Sequence, residues 1–142
     1  MIRRLVAVIL LSVVAVGTLQ AKRVQVPKVY MFGFAASFTD TIVHFTNVQE
    51  LDTVWMESKN RFLLGRDLYS RQLREFLNTQ QKQSRTCVVF YDTKRSKLDK
   101  KYLKMKRLYT QSKDGKKHFD VQFLGSEAFR FQPAKLSFED EK

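Results

Sequence analysis

The chain is short of the residues that build most recognisable sites. Cysteine occurs once, as Cys87, and histidine twice, as His44 and His118. One cysteine excludes an intramolecular disulfide even where the compartment would permit it, so packing alone has to hold the fold. With a single Cys and two distant His, the clustered spacing of a structural zinc site is missing, although oxygen ligands scattered over a fold leave no trace in sequence. The five glycines, Gly17, Gly33, Gly65, Gly115 and Gly125, stand singly, which excludes a phosphate-cradling glycine loop. Nothing here implies a cofactor. There is no Pro-rich or Gly/Ser-rich linker and no internal repeat, so residues 26–138 read as one unit.

Acid is scarce as well. Lysine and arginine number 26 against 14 aspartates and glutamates, a formal charge of +12. Arg3 and Arg4 precede an apolar run from Leu5 to Gly17, followed by Thr18-Leu19-Gln20-Ala21. A basic start, an apolar stretch shorter than the ~20 residues a membrane span needs and a small residue at Ala21 read as a cleaved secretory signal over residues 1–21. Lys22 is then the expected mature start. Leu19 occupies a place where a small side chain is preferred, so a cut after Gly17 is the competing choice and an uncleaved anchor the third. Cleavage after Ala21 removes two bases and no acid, lowering the excess from +12 to +10. The expected address is the periplasm or the extracellular space. Residues 22–142 suffice for one small α/β or α+β domain with a single core and no transmembrane span.

From Val29 to Phe38 the side chains divide by parity. Tyr30, Phe32, Phe34, Ala36 and Phe38 fall on one face, and Val29, Met31, Gly33, Ala35 and Ser37 on the other. Both faces lack charge, which predicts an interior strand, and the small residues of the second face invite close approach of a helix or backbone. Thr41–Thr46, rich in β-branched and aromatic residues, is expected to pair with it as an antiparallel hairpin. Residues 48–64 keep neither period, and Trp55 within them is a candidate cover for the aromatic face.

Asp67 is placed to cap a helix to about Gln80 with Leu68, Tyr69, Leu73, Phe76 and Leu77 on its apolar face. Arg85–Tyr91 is a nearly continuous apolar run and predicts a central strand buried on both faces. A second helix over about Ser96–Gln111 presents Leu98, Tyr102, Met105, Leu108 and Tyr109 to the core and ends before the turn at Asp114-Gly115. Phe119, Val121 and Phe123 alternate in a further strand, with Phe129 and Phe131 as a short edge piece. Helices between successive strands suit parallel crossovers. The expected fold is a mixed sheet of four to five strands with an N-terminal hairpin and two main helices packed on it.

Charge concentrates on the second helix. Between Lys94 and Lys117 eleven bases face Asp99 and Asp114. At about 100° per residue, Lys97, Lys100, Lys101, Lys104, Lys106 and Arg107 spread over the back and flanks of the apolar stripe, with Leu103 among them. Such a surface concentrates phosphates or other anions, and its lysine-rich make-up favours non-specific attraction over planar, bidentate recognition. The alternative is a solvated face that keeps the protein soluble.

A nucleophilic reading of Cys87 needs a base, which His44 or His118 would have to supply. Its apolar setting, Thr86-Cys-Val-Val-Phe90, instead predicts a small packing residue. Asp40, Glu50, Asp52, Glu57, Asp67, Asp92 and Glu127 show no spacing that separates acid/base work from capping. Tyr30, Phe32 and Phe34 lack the interleaved bases of a nucleic-acid stacking platform, so they read as core.

Three stretches, Val29–Asp40, Phe62–Leu73 and Lys100–Lys106, together resemble a group of small exported bacterial proteins without an assigned activity. The resemblance covers most of the mature chain and implies a bacterial origin; it assigns no functional residue. The reading is therefore a non-enzymatic exported module meeting an anionic envelope or extracellular partner through its basic helix. An enzyme built on carboxylates or oxygen ligands from strand ends and loops is the first alternative, and a structural protein without a ligand the second.

Overall fold

The computed structural model describes residues 22–82 and 84–138. The secretory-signal reading of residues 1–21 lies outside them. The described chain is α+β: a five-stranded mixed sheet with one helix on each face. The strands are β1 (Arg23–Ala36), β2 (Ile42–Thr46), β3 (Gln49–Glu57), β4 (Thr86–Asp92) and β5 (Asp120–Leu124). The helices are α1 (Arg66–Thr79), between β3 and β4, and α2 (Arg95–Thr110), between β4 and β5.

β1 is the central strand. Tyr30 and Met31 pair with β3 on one side and β4 on the other, and Phe34, Ala35 and Ala36 pair with β2 and β4 in the same way. All three partners run antiparallel to β1. β2 and β3 are thus two lengths of one hairpin arm lying end to end. Between them the register against β1 slips by one residue, from Met31↔Gln49 to Phe34↔Phe45, which is the signature of a β-bulge. At the slip Gly33 donates its N–H not to a strand carbonyl but to Thr46 Oγ1, at 2.8 Å. β5 adds in parallel to the outer edge of β2.

β1 begins six residues before the expected Val29. Pro27 explains why the sequence hid this: it has no N–H to give, yet this half of β1 is flanked only by β3, and Pro27 drops out of the ladder opposite Thr53, whose φ is 59°. The unassigned segment 48–64 proves to be mostly strand. Trp55 consequently stays in the sheet beside Gln25 and packs on Phe138, 5.0 Å away, instead of covering the aromatic face.

Antiparallel pairing to β1 on both sides makes β3 and β4 parallel to each other, and β4 parallel to β5. The α1 connection crosses from one side of β1 to the other, and the α2 connection crosses back. Right-handed crossovers in opposite directions lie on opposite faces of a sheet. Accordingly α1 covers the small-residue face, burying Tyr69, Leu73 and Leu77 with Val29, Met31, Ala35 and Val89. α2 covers the aromatic face: Tyr102 lies 4.9 Å from Phe32 and Tyr109 5.0 Å from Phe34, between ring centroids.

β4 is an edge strand, not the central one its apolar run suggested. Val89 is fully buried, but Val88 is 36% exposed. Since the Gly33 N–H points toward Thr46, Gly33↔Val89 is a pair without mutual backbone bonds, and the backbone groups of Val89 face outward. Arg66 donates to the Val89 carbonyl at 3.4 Å, with its guanidinium 5.8 Å from the Tyr91 ring, and so blunts that edge.

Asp67 does not cap α1. The helix starts two residues earlier, at Arg66 after Gly65 in the left-handed region at φ 73°, leaving Asp67 in the first turn, where its charge still suits the helix dipole. Beyond β5, Phe129 and Phe131 form no strand. They enter the core beneath α1, and the tail is tied there by Gln49, whose side-chain amide donates to Phe129 O at 2.9 Å and accepts from Phe131 N–H at 2.8 Å.

The two packed layers meet most closely at Gly33. A Cβ added there would lie 2.7 Å from Leu73 Cδ2 and 3.0 Å from Phe131 Cζ, both on fully or nearly fully buried side chains. Gly33→Ala is expected to destabilise the fold by about 1–3 kcal/mol, the usual cost of overpacking. The shift in the denaturant midpoint measures it. Combining it with Leu73→Ala should cost less than the two changes separately, because the cavity receives the added methyl.

Candidate functional site

The helix that carries the charge is entered through a tight turn, in which Asp92 Oδ1 accepts the Lys94 N–H at 2.8 Å. Leu98 is its one fully buried residue; Tyr102, Met105 and Tyr109 pack partly exposed on Phe32, Phe34 and Phe45. Arg95 lies 5.8 Å from the Tyr30 ring near the start, while Tyr109 near the end reaches Phe45 and Phe119. The helix therefore runs diagonally, leaving β4 and approaching β2 and β5. That path corrects the expectation for Leu108. Placed on the buried side from sequence, it is 67% exposed, because the flank facing β4 has no strand beneath it by the last turn.

The six basic residues singled out divide into two groups. Lys97, Lys100, Lys104 and Arg107 are exposed on the outer face. Lys101 and Lys106 lie on the flanks and bend over aromatic rings at the two ends of the sheet: Lys101 Nζ is 4.8 Å from the Phe90 centroid on β4, and Lys106 Nζ 5.0 Å from Phe123 on β5 and 5.2 Å from Tyr102. Their stems cover apolar surface while their charges stay in water. Among the described residues none of the six makes an ion pair, since Asp99 is 3.6 Å from Arg95 and Asp114 is held by His118 at 2.9 Å. Among the described residues no carboxylate neutralises the positive face.

Beside its C-terminal end lies a cleft of about 560 Å³. Tyr109, Thr110 and Ser112 form one wall, Phe119, Val121 and Phe123 the other, and Lys116 and Lys117 of the Gly115 turn border it. Sequence reasoning found the bases but missed the cleft. Only the alternation of Phe119, Val121 and Phe123 hinted at it, and that pattern reads as core.

The nucleophilic reading of Cys87 has no geometry. Ala35 pairs with Cys87 on one side and His44 on the other, so thiol and imidazole lie two strand spacings apart, roughly 9–10 Å. His118 is occupied by Asp114 in the exposed turn after α2. Burial, opposed by Arg74 and Arg85, pushes the Cys87 thiol up to about 11, away from thiolate at neutral pH. The carboxylates are scattered as well: Glu50 pairs with Lys28 at 2.9 Å, Asp92 serves its turn, and Asp40 holds Arg85. Among the described residues no three of His, Cys, Asp and Glu converge.

Among the described residues, Asp40 and Arg85 form the most buried ionic contact. Arg85 donates to Asp40 Oδ2 at 2.6 Å and to Ile42 O at 2.7 Å, tying the hairpin loop to the start of β4. Arg85 is 6% exposed and His44 4%, and the Arg85 Nε and His44 Nδ1 atoms have no hydrogen-bond partner among the described residues.

Compared with protein-family models, curated proteins and solved structures, the chain matches none. The surface of α2 must be judged on its own chemistry.

Burial, reinforced by Arg85 and Lys82, holds the His44 imidazole below its ordinary 6.5, while Asp40 and Asp120 oppose the shift. A lowered pKa in the folded state means the unfolded chain binds the proton more readily, so this contribution to stability is complete above 6.5 and declines as pH falls below it. Asp40, held below 3.8 mainly by its hydrogen bond from Arg85, loses its contribution only in more acid solution. Denaturant titrations should show stability falling with pH from about 6.5 downward. His44→Gln should flatten the upper part of that decline, and an unchanged profile would clear His44 of the effect.

Proposed function

We propose that this chain is an exported bacterial, non-enzymatic module that holds an anionic envelope or extracellular partner through the basic face of α2. What supports the reading is that Lys97, Lys100, Lys104 and Arg107 stand together, exposed, and without a carboxylate partner among the described residues. A solvated helix gains from interspersed acids, since like charges three and four positions apart repel. This helix keeps its lysines in such positions. The scattered carboxylates and the distance from Cys87 to His44 lend the enzyme alternative no convergent group.

Export is part of the same proposal and rests on the Arg3-Arg4 start, the apolar run and Ala21. No helix among the described residues is long and apolar enough to cross a membrane. Protein recovered from an exporting host is expected to begin at Lys22 on N-terminal sequencing. An intact Met1 chain retained in membranes after alkaline extraction would make the segment an anchor instead.

Binding to immobilised heparin should weaken steeply with added salt, because each neutralised anionic group releases counterions. Lys100→Gln, Lys104→Gln and Arg107→Gln together should lower both the affinity and the salt slope, the latter by about one unit for each cation that no longer engages the polymer. All three are exposed and away from the Leu98-Tyr102-Met105-Tyr109 stripe, so the thermal midpoint should hardly move. Unchanged affinity and slope would remove this face as the binding surface.

A further inference from the structure

Leu103, Lys106 and Thr110 follow at helical spacings of three and four and share one flank of α2, which Arg107 borders from the outer face. Thr110 borders the cleft with Phe119 and Phe123, and Lys106 lies over Phe123, so this flank faces β5. Two large apolar side chains stand half in water along it, Leu103 at 49% and Phe123 at 53% exposure. They bracket Lys106, and beyond the aromatic cleft come Lys116 and Lys117. One exposed leucine is ordinary on a protein surface. Apolar side chains set among cations that have no carboxylate partner among the described residues, beside a cleft with aromatic walls, form a surface of mixed character.

The kinds of anion that meet a basic face ask different things of it. A nucleic acid or an acidic polysaccharide engages the charges and leaves Leu103 and Phe123 in water. A second copy of this chain would bring two cationic flanks together, which like-charge repulsion opposes. An anionic lipid surface uses both components, since its headgroups attract lysines and its acyl boundary receives apolar side chains.

We propose that the β5-facing flank of α2 docks on an anionic lipid bilayer. Lys106, Arg107, Lys116 and Lys117 sit at the headgroups, while Leu103 and Phe123 reach below them. Lys106 is suited to that boundary because its stem already runs along Tyr102 and Phe123 and its ammonium can rise to the phosphates. The inference rests on the anion-binding reading above and specifies its partner.

All five strands, both helices and both apolar clusters lie between Arg23 and Phe138, so the test uses the chain from Lys22 onward, free of the leader's own affinity for lipid. Cooperative thermal unfolding is checked first for each variant. The wild-type chain should sediment with phosphatidylglycerol vesicles and not with phosphatidylcholine vesicles. Leu103→Ser with Phe123→Ser should weaken that partition by roughly tenfold or more at physiological ionic strength, in line with withdrawal of two buried apolar side chains. Its retention on heparin should not change. Phe123→Trp, a change that keeps an aromatic ring, should show emission shifting to the blue on phosphatidylglycerol vesicles beyond any shift in the wild-type Trp55 signal. A serine variant that partitions like wild type, or an indole introduced at Phe123 whose emission ignores the vesicles, would overturn the lipid inference and leave the anion-binding reading intact. A wild-type chain that binds heparin but no vesicle would do the same. Binding to neither would end both.

Discussion

Between Tyr30 and Ala36 the first strand has a neighbour in every direction. Strands pair with it on both edges, α1 presses on one face and α2 on the other. A strand so enclosed can carry no charge, and none is found there. It also has to leave room on one side, which Gly33 provides: Leu73, Phe131 and Thr46 converge on the space a side chain would fill. The missing Cβ lets α1 and the tail approach the sheet, and the Gly33 N–H, turned to the Thr46 hydroxyl, marks where β2 gives way to β3.

The rest of the architecture follows from chain direction. The hairpin arm of β2 and β3 occupies one side of β1 and β4 the other, so α1 must cross in one direction and α2 in the reverse. Handedness then assigns them to opposite faces. The two cores differ in kind as a result. The α1 layer is mostly aliphatic around Tyr69 and sealed by Phe129, Phe131 and the Gln49 bridge, whereas the α2 layer is a ladder of rings from Phe90 and Phe32 through Tyr102 to Phe45 and Tyr109. α2 buries Leu98, half-buries Tyr102, Met105 and Tyr109, and leaves the rest of its circumference to water. That is why it can bear so much charge, and why its flanking lysines lie over rings at both ends of the sheet.

Much of this was legible in sequence where a side-chain period was clean. The parity of Val29–Ala36 identified both the interior strand and which face would admit a close neighbour, while Ser37 and Phe38 fall past the strand's end and Phe38 is exposed. The 3.6-residue stripe of Leu98, Tyr102, Met105 and Tyr109 oriented α2 and thereby its basic side. Legibility failed where local pattern and pairing disagree. Pro27 concealed the first half of β1, a bulge before Gln49 and the left-handed Thr53 broke the period of residues 46–57, and the apolar run of β4 suggested a centre although Val88 and the outward backbone lie at an edge. Of the candidate site, the bases were visible and the cleft was not, because Phe119, Val121 and Phe123 alternate as any half-buried strand does.

By itself the sequence determined what depends on near neighbours along the chain: the hairpin, the two helices, the face each would bury, the isolation of Cys87 and the accumulation of positive charge on one helix. Tertiary structure alone decided which strand is central, that the helices lie on opposite faces, that Cys87 and His44 are held apart by Ala35, and that Leu103 and Phe123 meet Lys106 beside a cleft. The division has a physical cause. Propensity and amphipathic period act over a few residues, whereas strand order is chosen by which apolar surfaces can be buried together across the whole chain, and no short stretch records that choice.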